Sequence, residues 1–141
     1  MNLNGYINAI SSAIERGAME GCKRGAFLVE REAKKNAPVD TSRYKNSIYT
    51  NVDMGRHEAY TSPRVYYAAY LEWGTGKYNI LGVRRSNGWI YTVHDKRSKY
   101  FGTHYTEGMV AKKTMSNSYN AQKANIEKII VSEINKELSK L

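Results

Sequence analysis

Apolar residues recur at Leu3, Ile7, Ile10, Ile14 and Ala18. The steps of four, three, four and four place them on one face of a helix. The pattern runs on less regularly through Cys22, Ala26, Val29 and Ala33. It must end before Pro38, because a residue preceding proline is pushed out of helical geometry. A helix over about residues 4–36 is expected. Gly17, Gly21 and Gly25 interrupt it at a spacing of four. Each glycine costs about 1 kcal/mol against alanine in a helix interior. A row of three on one side implies that another backbone comes close there; a kink near Gly25 is the competing reading.

The segment Ala37-Pro38-Val39-Asp40-Thr41-Ser42 is a turn, and Asp40, Thr41 or Ser42 can cap a short helical turn after it. Residues 48–52 and 58–62 are β-rich and flank turn residues at 53–57, which predicts a hairpin. Residues 65–73 favour a short helix ending at Gly74. Residues 89–93 form a further strand after an Asn-Gly pair, and residues 100–106 can pair with it. A last helix is expected over about 118–140, with Ile126, Ile130, Ile134, Leu138 and Leu141 on one face, widened by Ile129. The fold class is therefore α+β. Long N-terminal and C-terminal helices lie side by side on a small antiparallel sheet of three to five strands. The whole of 1–141 is expected to be one domain, with a basic loop or arm at about 77–113.

Composition narrows the function more than the fold. Of the 141 residues, 41% are hydrophobic and 25% charged, as in an ordinary folded domain. No run is long and apolar enough to span a membrane, and Met1-Asn2-Leu3-Asn4-Gly5 does not open like a signal peptide. Cys22 is the sole cysteine, which excludes an internal disulfide and a Cys-rich zinc site. An intracellular protein, or one assembled inside a cell, is expected. The net charge is +9, and 12 Tyr stand against 2 Phe. Summed along the chain, the charge is +3 over residues 1–57, +5 over 58–113 and +1 over 114–141. The excess gathers between Lys77 and Lys113, where Arg84, Arg85, Lys96 and Arg97 are candidate contacts to a partner or to DNA. Basic charge with interleaved aromatics suits nucleic acid or an acidic subunit. A nucleic-acid binder should gather charge on one folded face, whereas along the sequence it falls in a loop.

Catalytic signals are lacking. His57, His94 and His104 have no metal-ligand spacing, and no nucleophile elbow is present. Gly74-Thr75-Gly76-Lys77 lacks the span that wraps phosphates. No catalytic residue, metal or cofactor is expected. A small basic ribonuclease using His94 or His104 is the weakest alternative.

Two segments carry the strongest signal: Ala33-Lys34-Lys35-Asn36-Ala37-Pro38-Val39-Asp40-Thr41-Ser42-Arg43-Tyr44-Lys45-Asn46-Ser47-Ile48, and Val65-Tyr66-Tyr67-Ala68-Ala69-Tyr70-Leu71-Glu72-Trp73-Gly74-Thr75-Gly76. The pair resembles a family of small neck proteins of long-tailed bacteriophages, the head–tail joining or tail-completion proteins. In that family a helix runs into A-P-V-D-T-G-x-L-x-x-S-I and is followed by Y-A-x-Y-V-E-F-G-T. Here Ser42 stands for the glycine, Tyr44 for the leucine, Leu71 for the valine and Trp73 for the phenylalanine. Downstream, residues 110–117 lack the family's prolines.

The resemblance implies a structural virion protein at the head-proximal end of the tail, assembled in the host cytoplasm. It would form a ring of itself, six copies for a six-fold tail or twelve for a portal-side adaptor. Neck, head-closure or tail-tube proteins would be its neighbours, with non-specific DNA contact in the channel and no membrane. Tyr66, Tyr67, Tyr70 and Trp73 are the candidate interface anchors, because amphipathic aromatics dominate interface energetics. Arg43 and Glu72 are added as a pair that could pin the two segments together, within or between subunits. A basic nucleic-acid-binding protein is the leading alternative.

Overall fold

The computed structural model describes residues 2–82, 85 and 87–141. The elements follow in the order α1 (Leu3–Asn36), α2 (Arg43–Ser47), β1 (Ile48–Asp53), β2 (Glu58–Pro63), α3 (Ala68–Trp73), β3 (Trp89–Val93), β4 (Gly102–Thr106) and α4 (Thr114–Leu138). A 3-10 turn over Gly76–Tyr78 lies between α3 and β3. This is the expected α+β fold. Its strands form two separate antiparallel ribbons, β1–β2 and β3–β4, in place of one sheet. The chain divides into two compact units, each built from segments far apart in sequence.

The helical unit comprises Met1–Glu32, Tyr49–Ser62 and Tyr119–Leu141. Here α1 and α4 run antiparallel, and the glycine row is their contact line. A Cβ on Gly17 would lie 2.5 Å from Ile134 Cα, one on Gly21 2.6 Å from Ile130 Cα, and one on Gly25 2.8 Å from Ile126 Cγ2. No real side chain fits those spaces, so the close approach requires glycine. The expected isoleucine face of α4 is thus seated, residue by residue, on the glycines of α1. The buried line of α1 passes through Ala13, Gly17, Gly21, Gly25 and Val29. The apolar face drawn from Leu3 through Ala18 lies beside that line, and Ile7 and Ile14 remain 49% and 42% exposed. The line of nearest approach follows the smallest residues and leaves the larger ones flanking it.

Polar contacts border this seam. Arg16 Nε pairs with Glu137 Oε2 at 3.2 Å, Arg24 pairs with the buried Glu133, and Gln122 Nε2 donates to Glu32 Oε2 at 3.2 Å. The β1–β2 ribbon sits on α1 through two facing threonines. The Thr50 and Thr61 hydroxyls are 2.9 Å apart and reach the Ala26 carbonyl at 3.3 and 2.8 Å. In the turn between the strands, His57 Nε2 lies 2.9 Å from Glu15 Oε1.

The second unit comprises Ala33–Ile48 and Pro63–Ser118. Its core is Ala33, Ala37, Tyr44 and Ile48, with Val65, Tyr67, Ala68, Leu71 and Met115 packed against them. Between residues 77 and 113 lie the β3–β4 ribbon, in register Trp89↔Thr106 to Val93↔Gly102, and its connections. The base of this stretch is tied. Thr75 N–H donates to the Met109 carbonyl at 2.9 Å, Lys77 N–H to the Glu107 carbonyl at 3.2 Å, and Met109 N–H to Thr75 Oγ1 at 3.0 Å. Gly76 and Gly108 permit this crossing: at φ 59° and 128°, a Cβ on either would strike the facing backbone carbonyl. The Gly-Thr-Gly sequence is therefore a backbone crossing. The β3–β4 connection is tied as well, because the Asp40 carboxylate accepts from the Ser98 hydroxyl and, at 3.0 Å, from Lys99 N–H.

Candidate subunit interface

The two sequence segments meet in this second unit and form its core together. The first supplies Ala33, Ala37, Tyr44 and Ile48, and the second supplies Val65, Tyr67, Ala68 and Leu71. Burial away from water pushes the Tyr44 hydroxyl above its ordinary pKa. The same cause raises Tyr67, opposed by the positive charge of Arg43. The Tyr67 ring stands edge-on to Tyr66 at 5.3 Å and tilted against Tyr44 at 6.4 Å.

Tyr70 and Trp73 lie three apart on α3, and Tyr66 lies in the turn just before it. Tyr66, Tyr70 and Trp73 are 85%, 54% and 40% exposed. Tyr67 packs instead on the core. Of the four aromatic anchors read from the sequence, three stay on the surface and one fills the interior.

The platform under these aromatics is fixed by its backbone. Where α3 ends, the Tyr70 carbonyl accepts from Gly74 N–H at 2.8 Å, Leu71 from Lys112 N–H at 2.7 Å, and Trp73 from Ile80 N–H at 3.0 Å. Asn79 Nδ2 donates to the Gly74 carbonyl at 3.1 Å. The Leu71 and Trp73 carbonyls, which a helix end normally leaves open, are thus satisfied from beyond the helix. A surface held in this way loses little freedom on binding.

Glu72 takes a different role from the one expected. Its side chain is buried, 8% exposed, and its carboxylate accepts from Met115 N–H at 3.0 Å, Ser116 N–H at 2.9 Å and the Ser116 hydroxyl. It caps α4, placing negative charge where the first N–H groups of that helix converge. Among the described residues it forms no ion pair with Arg43, which is exposed. Caps are normally sought just before a helix; nothing in the sequence marks one donated from more than forty residues upstream. The capping role read for Asp40, Thr41 or Ser42 also shifts. Ser42 precedes α2 without a side-chain cap, and Asp40 holds the β3–β4 connection.

Of the four basic candidates, Arg84 lies outside the described residues. Arg85 stacks over the Trp89 ring at 5.3 Å, and Lys96 is exposed. Arg97 grips Asp95 through Nε and Nη2 at 3.0 and 2.8 Å. Those bonds hold the Asp95 carboxyl at about 2, below the ordinary carboxylate range. No group of three His, Cys, Asp or Glu among the described residues could hold a metal ion, and no described helix is long and apolar enough to cross a membrane.

Ser42 has φ 64° and ψ 1°, the left-handed region, at the position where the neck proteins carry glycine. The family model described as "Bacteriophage HK97-gp10, putative tail-component" matches residues 2–74, just over half of the chain. The chain belongs to this HK97-gp10-like family. The match runs from the start of α1 to the glycine that ends α3, so it takes in the glycine row, the buried core residues Ala33, Ala37, Tyr44 and Ile48, and the exposed aromatics Tyr66, Tyr70 and Trp73. As an HK97-gp10-like protein, the chain is a structural phage tail component. No curated protein and no solved structure matches it.

Proposed function

We propose that this tail component works in the neck, where copies form a ring that completes the tail and joins it to the DNA-filled head. The carrying observation is the exposed aromatic surface of Tyr66, in the turn before α3, and of Tyr70 and Trp73 on it, with the end of α3 fixed by backbone hydrogen bonds. Exposed aromatics on a rigid support are the usual anchors of a protein interface. Rings close through head-to-tail contacts between unlike surfaces, so this face would meet a different patch on the next copy. Six copies would match a six-fold tail, and head-closure and tail-tube proteins would be the neighbours. The action is contact and positioning, with no bond made or broken.

Mass measurement of the purified protein and its Tyr70→Ala/Trp73→Ala variant tests the interface. The parent should assemble as a closed ring. The variant should fold normally and assemble at least about 30-fold more weakly, as losing a hot spot of about 2 kcal/mol requires. A well-folded variant that assembles with unchanged affinity removes the anchors. Cryo-electron microscopy of virions that places the protein along the tail tube, away from the head, removes the neck assignment.

A further inference from the structure

The net charge of +9 belongs entirely to one unit. The second unit holds 13 Lys and Arg against 4 Asp and Glu, net +9; the helical unit holds 9 against 9, net 0. All four acids of the second unit are engaged inside it. Glu72 caps α4, Asp40 binds residues 98 and 99, Asp95 pairs with Arg97, and Glu107 pairs with Lys77. Only the last two offset a cation.

Within this unit, one open cleft of about 500 Å³ is lined by Arg43, Arg64 and Arg97, with Thr41, Asn46 and Ser47 among them and no carboxylate. The three arginines come from α2, from just after β2 and from the β3–β4 connection. Asp95, outside the lining, occupies one N–H on each of Nε and Nη2 of Arg97, which leaves the other three N–H donors of its guanidinium for a ligand. Arginine forks with hydroxyl and amide donors are the groups that bind phosphate oxygens.

We propose that the second unit binds the phosphate backbone of duplex DNA without regard to sequence, and that the Arg43–Arg64–Arg97 cleft receives phosphates. The whole-unit charge favours this over a single acidic peptide. Duplex DNA presents a negative charge about every 1.7 Å, so it can engage many cations together, whereas one peptide would fill only the cleft. The proposal goes beyond ring formation and does not rest on it: a ring without DNA affinity, or DNA affinity without a ring, separates the two.

The test is fluorescence anisotropy of the full-length chain with a labelled mixed-sequence duplex, over a salt series. Log affinity should fall linearly with log salt, at about 0.9 per phosphate neutralised. A slope of at least about 4 is expected for contact across the unit. Arg43→Gln/Arg64→Gln/Arg97→Gln should lower the slope by about 2–3 and weaken binding roughly 10- to 100-fold at low salt. The matching Lys-for-Arg triple should keep the slope. Arg31→Gln/Lys123→Gln/Lys128→Gln, in the neutral unit, should leave it unchanged. If the glutamine triple melts early, the exposed pair Lys45→Gln/Lys96→Gln carries the same test, with a fall of about 1–2. A parent slope near zero overturns the proposal, as does an equal loss in the neutral-unit variant. Poly-glutamate binding as tightly as duplex would reassign the cleft to an acidic protein partner, and would also overturn it.

Discussion

The helical unit and the basic unit solve opposite problems with one chain. In the helical unit, cations and acids balance at nine each, and charges pair across the seam, as Arg16 does with Glu137 and Arg24 with Glu133. Its close contact is backbone against backbone along the glycine row. In the basic unit the few acids are consumed internally, the cations stay in excess, and three aromatics face outward. One region is specified by what it excludes from its seam, the other by what it leaves for a partner. Substitutions in the first should therefore be read in stability, and substitutions on the surface of the second in association.

The sharpest way to break this contrast is Gly21→Leu. Helix propensity alone favours leucine by nearly 1 kcal/mol, but the new side chain would meet Ile130 Cα within 2.6 Å. We expect a loss of about 3 kcal/mol from overpacking and a clear drop in melting temperature, with a smaller loss for Ala18→Leu. A Gly21→Leu protein that melts above the parent removes the close approach.

Next in size, Glu72→Ala should cost about 2 kcal/mol, because two N–H groups at the start of α4 lose their acceptor. Chemical denaturation measures it. An unchanged midpoint would mean that water replaces the cap fully.

A smaller change of opposite sign is expected for Ser42→Gly. Relief of the left-handed conformation should raise stability by about 0.5–1 kcal/mol, less than the full strain because glycine is also freer when unfolded. A lower melting point would show that the serine side chain contributes something the strain does not explain.

The smallest effect is a titration. Because the Asp95 pKa is depressed in the fold, its pair with Arg97 favours the folded state above the ordinary aspartate pKa of about 3.9, and that contribution disappears as pH falls through about 2. Carboxyl NMR should find the Asp95 midpoint near 2 in the parent and returned toward 3.9 in Arg97→Gln. An ordinary midpoint in the parent would mean that Arg97 is not oriented by Asp95.

The helices, both hairpins and the glycine contact were legible because each is written in local periodicity or spacing. Ile126, Ile130 and Ile134 repeat every four residues, as do the glycines they meet, so the pairing could be read from either helix. Roles that depend on distant partners were not legible. Glu72 sits in a plain helical stretch, and only the fold brings the start of α4 to it. Arg64 follows a proline with no pattern around it, yet lines the cleft with Arg43 and Arg97. The charge segregation was hidden for the same reason. Sums along the sequence cut across two interleaved units, giving +3, +5 and +1, while the folded partition gives 0 and +9. The excess that resembled a loop property is the property of a folded unit.

The glycine seam also sets an order of events at the ribosome. Arg16 and Glu137, its bordering pair, are 121 positions apart, and translation proceeds at about 5–20 residues per second. For several seconds α1 is made but has no α4 to cover its glycines, and a glycine-interrupted helix is poorly stable alone. The core of the basic unit draws on nothing later than Met115, whereas the helical unit needs Ile126, Ile130 and Ile134 to cover its glycines. A chain that stopped before Ile126 would keep every cation of the basic unit, the last of which is Lys113, and would leave the glycine row uncovered.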